Sequence, residues 1–189
     1  GDTVAVAQPC YVSYTPGVTF SGGEPLRQPD FLAAALGACR ARGIHSAVET
    51  TGFVEWAVLE KALHDVDLVL YDVKHVDSSV HRRFTGVPNE QILANLQRVA
   101  RWKETVVRIP LILSFNGATA DLEHMAAFLA GVSGIREVHI LPYHRLGEGK
   151  HGRLGTTYRF SDEHVPTDED VARAREIFEC AGLVVSVGG

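Results

Sequence analysis

Three cysteines in 189 residues is a small number, and Cys10, Cys39 and Cys180 stand far apart. They are odd in count, and their spacing suits neither a disulfide framework nor a self-contained metal site. Long apolar runs are missing too, since nowhere do hydrophobic residues continue for the ~20 positions that a bilayer-spanning helix needs. The first residues lack the basic-then-apolar order of a secretory signal. The expectation is therefore a soluble, cytoplasmic protein with no membrane partner. Positive charge is not in excess: 18 Lys and Arg face 23 Asp and Glu, the formal net charge is −5 and the pI is near 6.0. That balance offers no surplus cation to neutralise a phosphate backbone and argues against nucleic acid as a partner. HExxH, GxxxxGK[ST] and GxSxG are absent, so zinc proteolysis, P-loop hydrolysis and α/β-hydrolase chemistry lack their residues. The string Gly147 to Gly152 fits GxGxxG, but no helix pattern opens after it and no acidic residue stands where a ribose partner belongs.

What is present is a chain with 46% hydrophobic and 22% charged residues, enough to bury a core and to exclude intrinsic disorder. From residue 17 onward, short β-branched runs alternate with helical patterns, as in a βαβ repeat. The expected strands are Val18–Ser21, Ile44–Glu49, Val66–Asp72, Val106–Ile112 and Glu137–Leu141, most of them near-continuously apolar, which implies a parallel sheet. Helix signals lie between them. Pro29 opens a run that ends at Gly43, Pro88 opens one rich in Leu and Ala, and Thr167 with Asp170 forms a capping box ahead of a helix closed by Gly182. Residues 1–16 have no sustained period and read as an edge strand, a linker or the irregular remnant of something longer; residues 17–189 read as one domain. The stretch from Tyr143 to Val165 is the longest without periodicity and follows a strand directly, a placement that suits partner contact or closure as well as a plain surface loop. Five βα units are too few for a closed eight-stranded barrel of typically ~250 residues. Either the sheet is open or units are missing.

Ligands of parallel α/β folds sit at the carboxyl ends of the strands, where loops converge and helix N-termini point free N–H groups at one place. All five of these ends are polar: Ser21-Gly22-Gly23-Glu24-Pro25, Glu49-Thr50-Thr51-Gly52, Asp72-Val73-Lys74, Arg108 within its strand, and Pro142-Tyr143-His144. A Gly-Gly turn lets backbone approach a ligand closely and exposes groups that suit an amino-acid-like ligand, although it also serves as a plain tight turn. Glu49 and Asp72 read either as helix caps and partners of Lys74, or as two acids aimed at one pocket, where they repel unless a cation sits between them. Oxygens of Glu49, Thr50 and Asp72 would suit a hard cation. Arg108, in the apolar run Val106-Val107-Arg108-Ile109-Pro110, needs an anionic partner, which is a salt bridge to Asp72 or Glu49 or else a ligand carboxylate. His144 is either a strand-end residue or a site residue.

The string Gly17-Val18-Thr19-Phe20-Ser21-Gly22-Gly23-Glu24-Pro25-Leu26 resembles the hallmark of radical S-adenosylmethionine enzymes, in the form found in activating enzymes of glycyl radical enzymes. Five further blocks follow in the order of pyruvate formate-lyase activating enzyme and its relatives: Glu49 to Phe53, Asp67 to Lys74, Phe84 to Val87, Arg108 to Ile112 and Leu141 to Gly147. The resemblance covers residues 17–187. It implies a partial (β/α)6 TIM-like barrel of the radical SAM type with its first βα unit missing. It also implies reductive cleavage of S-adenosylmethionine at a 4Fe-4S cluster, and hydrogen abstraction from a partner's glycine by the 5'-deoxyadenosyl radical, with no catalytic side chain. By the same resemblance Gly22, Gly23 and Glu24 hold the methionyl amine, and Asp72, Lys74, Arg108 and His144 hold the rest of the cofactor. Glu49, Thr50 and Asp72 line a monovalent cation site. The implied partners are a glycyl radical enzyme and a flavodoxin or ferredoxin as electron donor.

One departure stands at the front. The family carries CxxxCxxC upstream of GGEP, whereas here only Cys10 precedes Ser21, and Cys39 and Cys180 fall in helices where buried cysteines are ordinary. The chain thus supplies no cluster ligands, and the expectation is the C-terminal portion of an activase, inert alone. Two alternatives stand beside it: a non-catalytic barrel that binds S-adenosylmethionine, a nucleoside or a protein, and a radical SAM enzyme acting on a small molecule.

Overall fold

The computed structural model describes residues 6–8, 17–144 and 164–188. Its frame is a seven-stranded sheet whose strands lie side by side in chain order: β1 (Val6–Gln8), β2 (Gly17–Ser21), β3 (His45–Thr50), β4 (Leu68–Asp72), β5 (Glu104–Leu111), β6 (Glu137–Pro142) and β7 (Val184–Val187). β1 runs antiparallel to β2, and the six strands from β2 to β7 are parallel. Parallel neighbours in unbroken chain order require every crossover to return on the same side, so one face of the sheet is covered by helices and the other is left concave. With β1 and β7 at its two edges, this is an open, partial barrel of the expected kind. The five expected strands are present with ends shifted by one or two residues, and β7 is a sixth parallel strand the periodicity did not reveal. The antiparallel β1 falls inside the segment read as edge strand, linker or remnant. Most of the loop expected from Tyr143 to Val165 lies outside the described residues, as do Cys10 and the GxGxxG string.

The helices are α1 (Pro29–Arg40), α2 (Trp56–Ala62), α3 (Ser78–Thr85), α4 (Glu90–Val99), the short α5 (Leu113–Asn116), α6 (Thr119–Ala130) and α7 (Asp168–Cys180). Their starts follow from the sequence. Pro29 opens α1, where its missing N–H is no loss. Thr167 and Asp170 form the expected capping box of α7. Asp77 caps α3 by accepting from Ser79 N and Val80 N, and Gly86, at φ 87°, ends it.

The period-two alternation of the strands sorts their residues between the two faces. Val48, Val69, Tyr71, Val107, Ile109, Val138 and Ile140 point at the helices and join one large core with Leu32, Leu36, Leu59, Leu96, Leu122, Met125, Leu129 and Phe178. Ala47, Leu68, Leu70 and Val106 form a separate small cluster, the apolar floor of the concave face. One pleat further along the same strands, on that same face, come Glu49, Asp72 and Arg108. The fold thus places apolar residues at the amino end of the concavity and charged ones at its carboxyl end.

Candidate functional site

Arg108 is the centre of the carboxyl-end cluster. Its Cα pairs with that of Asp72 across the β4/β5 ladder. Its guanidinium meets Glu49 with Nη1–Oε1 at 2.5 Å and Asp72 with Nε–Oδ1 at 3.3 Å. Lys74 Nζ reaches the other Asp72 oxygen at 3.3 Å. The cation between the two acids is therefore Arg108 itself, and both expected carboxylate partners are realised at once. The arrangement is incomplete in one respect. Asp72 Oδ1 and Arg108 Nε are buried and face each other without the alignment of a hydrogen bond, so a donor and an acceptor stand in the concavity unsatisfied, a costly state.

The Gly-Gly turn is a second component. Gly22 and Gly23 have φ of 94° and 65°, a left-handed conformation that favours glycine. Glu24 follows as the cap of a 3-10 turn, Pro25–Arg27. Its carboxylate accepts four hydrogen bonds: Oε1 from Leu26 N at 3.2 Å and Thr50 Oγ1 at 2.7 Å, Oε2 from Thr51 N at 3.0 Å and Thr51 Oγ1 at 2.7 Å. A carboxylate has about four lone-pair positions, so Glu24 is saturated by the chain itself. It ties the end of β2 to the end of β3. The exposed groups at this turn are the peptides of Gly22 and Gly23. A cavity of about 300 Å³ opens there, lined by Phe20 to Pro25, Arg27, Gln28 and the α1 side chains Phe31 and Leu32; the charged trio does not line it.

The loop after β3 is braced from behind. A Cβ on Gly52, whose φ is +67°, would lie 1.8 Å from the Tyr71 hydroxyl, so this position admits only glycine. Tyr71 donates to Ile92 O at 2.7 Å; burial, and secondarily the Glu24 charge, push its pKa far up, and it remains a donor. Asn95 donates to Gly52 O and Val54 O, each at 2.8 Å. After β4, Asn116, fully buried, donates to Lys74 O at 2.9 Å and Pro110 O at 2.8 Å while accepting from Ile112 N at 2.9 Å.

Not every expected residue joins. Thr50 is buried on the opposite face of β3 from Glu49, its hydroxyl donating to Glu24 and accepting from Gly52 N. The three-residue cation set of Glu49, Thr50 and Asp72 is thus not brought together, and no cluster of three or more His, Cys, Asp and Glu suited to a metal is found among the described residues. His144 is exposed just past β6. Cys39 is half-buried on α1, and Cys180, expected to be buried, is exposed at the end of α7; the described residues do not fit a cluster. The sequence reading gave no role to Tyr71, Asn95 and Asn116 and took Thr51 only as part of a polar strand end; their roles rest on partners distant in the chain. Thr51 and Tyr71 fall within the Glu49-to-Phe53 and Asp67-to-Lys74 blocks, whereas Asn95 and Asn116 lie in none of the blocks that carry the resemblance.

The family model of the Radical SAM superfamily matches residues 7–129. A crystallised domain of pyruvate-formate lyase-activating enzyme from Bacteroides vulgatus is 35% identical, with 92% of this chain and 99% of that one covered and a TM-score of 0.77. The 4-hydroxyphenylacetate decarboxylase activating enzyme of Clostridioides difficile is 38% identical over 175 residues, 91% of this chain and 55% of that protein. The choline trimethylamine-lyase activating enzyme of Oleidesulfovibrio alaskensis is 38% identical over 184 residues, 95% and 59% respectively. With the family model matching more than half of its length, this chain belongs to the Radical SAM superfamily. Its relatives there are activating enzymes of glycyl radical enzymes. The chain spans a little over half the length of the curated relatives it matches.

Proposed function

We propose that this chain is the S-adenosylmethionine-binding core of an activating enzyme that installs a radical on a glycine of a partner enzyme. The observation that carries the reading is the pair of unsatisfied buried atoms at the strand ends, Arg108 Nε and Asp72 Oδ1. They ask for one acceptor and one donor, which the methionyl carboxylate and the hydroxyl or ammonium groups of the cofactor supply. Arg108 would take the carboxylate, and the peptide groups of Gly22 and Gly23 would receive the amine. Because Glu24 is saturated, it serves this amine by fixing the turn, and Glu49 is the acid left free to face an ammonium once Arg108 turns from it. Lys74 and Asp72 would hold further polar groups, and His144 would close the site from the rim. A monovalent cation, if bound, would share Glu49 and Asp72 after Arg108 has moved, with Thr50 contributing only through Glu24.

The chemistry that S-adenosylmethionine would supply when bound, in a whole protein that also held a 4Fe-4S cluster, is one-electron reductive cleavage yielding an adenosyl group able to take hydrogen from the partner's glycine. The task of this chain's residues is to bind, to orient and to exclude water. A flavodoxin or ferredoxin would deliver the electron. Membership in the superfamily and kinship with activating enzymes that act on several different partners support this reading over the non-catalytic and small-molecule alternatives. Titration calorimetry of S-adenosylmethionine into the chain tests it. Saturable binding, weakened by Asp72→Ala and by Arg108→Ala, is expected; equal binding by all three proteins would refute the site.

A further inference from the structure

Where the β4/β5 ladder ends, a side chain takes over from the backbone. The last main-chain bond between the two strand ends runs from Val73 N to Arg108 O at 2.9 Å. One step further out, the two protons of the Asn116 amide bridge Lys74 O and Pro110 O, and its oxygen receives Ile112 N. Every hydrogen-bonding position used is a backbone group, the side chain has no exposed surface, and the helix that carries it is only four residues long. The following Gly117 packs so tightly on Leu113 that a Cβ there would lie 2.6 Å from its Cα. That close approach fixes how the short helix returns and so where the amide lies.

We infer that Asn116 is a positioning residue for the cofactor site: it holds the backbone of Lys74 to the end of the strand that carries Arg108, so that both cations are presented to the ligand in a fixed relation. The inference rests on the reading of Lys74 as a cofactor-binding residue. A loop freed from the bridge has to be ordered on binding, and preorganisation of this kind is worth affinity without any direct contact. Asn95, which performs the same two-carbonyl bridge on the loop after β3, supports the other side of the site and does not touch Lys74.

The test is a double-mutant cycle read by titration calorimetry with S-adenosylhomocysteine, an unreactive relative of the cofactor, at a temperature well below each variant's unfolding midpoint. Asn116→Asp keeps the acceptor for Ile112 N and removes both donors; Asn116→Ala is the second variant if the buried carboxylate prevents folding. Affinity is expected to fall about tenfold with either change in the native background and less than about twofold when Lys74 is already Met, because a residue acting through Lys74 loses its effect with it. Asn95→Ala is expected to weaken binding by the same factor in both backgrounds. Equal losses for the Asn116 change with and without Lys74 would overturn the inference while leaving the cofactor reading intact. Undiminished binding by Lys74→Met alone would remove the reading on which the inference stands, and the inference with it.

Discussion

Arg108 and Asp72 are cross-strand partners on the concave face, Cα opposite Cα, yet their buried Nε and Oδ1 are 3.3 Å apart and unaligned. The second arm of the guanidinium goes to Glu49. Arg108 thus balances Glu49 and shares Asp72 with Lys74, which makes it both a structural tie and the group best placed to receive an incoming carboxylate.

Arg108→Ala therefore has two expected effects. It leaves Glu49 without its cation and Asp72 with Lys74 alone, a loss of about 1–3 kcal/mol, measurable as a lower midpoint in urea. It also weakens cofactor binding, and Arg108→Lys restores stability better than binding, because an ammonium still offsets the neighbouring acids but lacks the planar fork that receives a carboxylate through two N–H groups.

Gly52→Ala places a methyl group within 1.8 Å of the Tyr71 hydroxyl at a φ of +67°. Overpacking and backbone strain together give an expected destabilisation of about 3 kcal/mol. Adding Tyr71→Phe recovers little of it, since the ring carbons Cζ and Cε2 would still lie 2.4 and 2.7 Å from the methyl group, the backbone strain persists and Ile92 O loses its donor. Chemical denaturation of the single and double variants checks the order.

Glu24→Gln turns one of two saturated oxygens into a donor that faces other donors. Leu26 N and Thr51 N, both bonded to this carboxylate, are expected to exchange their amide protons faster, at a cost of about 1–3 kcal/mol in local stability. Unchanged exchange at both amides would show that the tie between β2 and β3 lies elsewhere.

Acid sensitivity has a definite place. Burial holds His81 below the ordinary histidine value of 6.5; the charges of Lys74 and His75 add to this, while the bond to Val87 O and the charge of Glu90 oppose it. Because the folded state resists the proton more than the unfolded chain does, the unfolded chain binds more protons in this window. Stability is full above pH 6.5 and declines as pH falls below it toward the folded value. Unfolding free energies measured between pH 7.5 and 5 should show this slope, and His81→Leu should flatten it.

Much of this fold was legible because β2 to β6 are apolar runs punctuated by polar ends, and because Pro29 and the Thr167/Asp170 pair mark helix starts. β7 was not: Val184-Val185-Ser186-Val187 is four residues long and owes its place to pairing with β6. α2 starts without a side-chain cap, and α3 is polar overall and buries only His81, so neither shows the apolar stripe of a core helix. At the site, Gly22, Gly23, Asp72 and Arg108 were legible as strand-end chemistry. The saturation of Glu24 and the diversion of Thr50 to it were not, because both depend on a contact 26 residues apart in the chain. The same holds for Asn95 and Asn116, polar residues within helices whose partners are backbone carbonyls of distant loops.

The most direct test of the proposed function is a crystal structure of this chain soaked with S-adenosylmethionine. The methionyl group is expected against the peptides of Gly22 and Gly23, with its carboxylate on Arg108 and the Arg108–Glu49 pair opened. A ligand bound away from the strand ends, or one that leaves Arg108 paired to Glu49 and touches neither Gly22 nor Gly23, would contradict it.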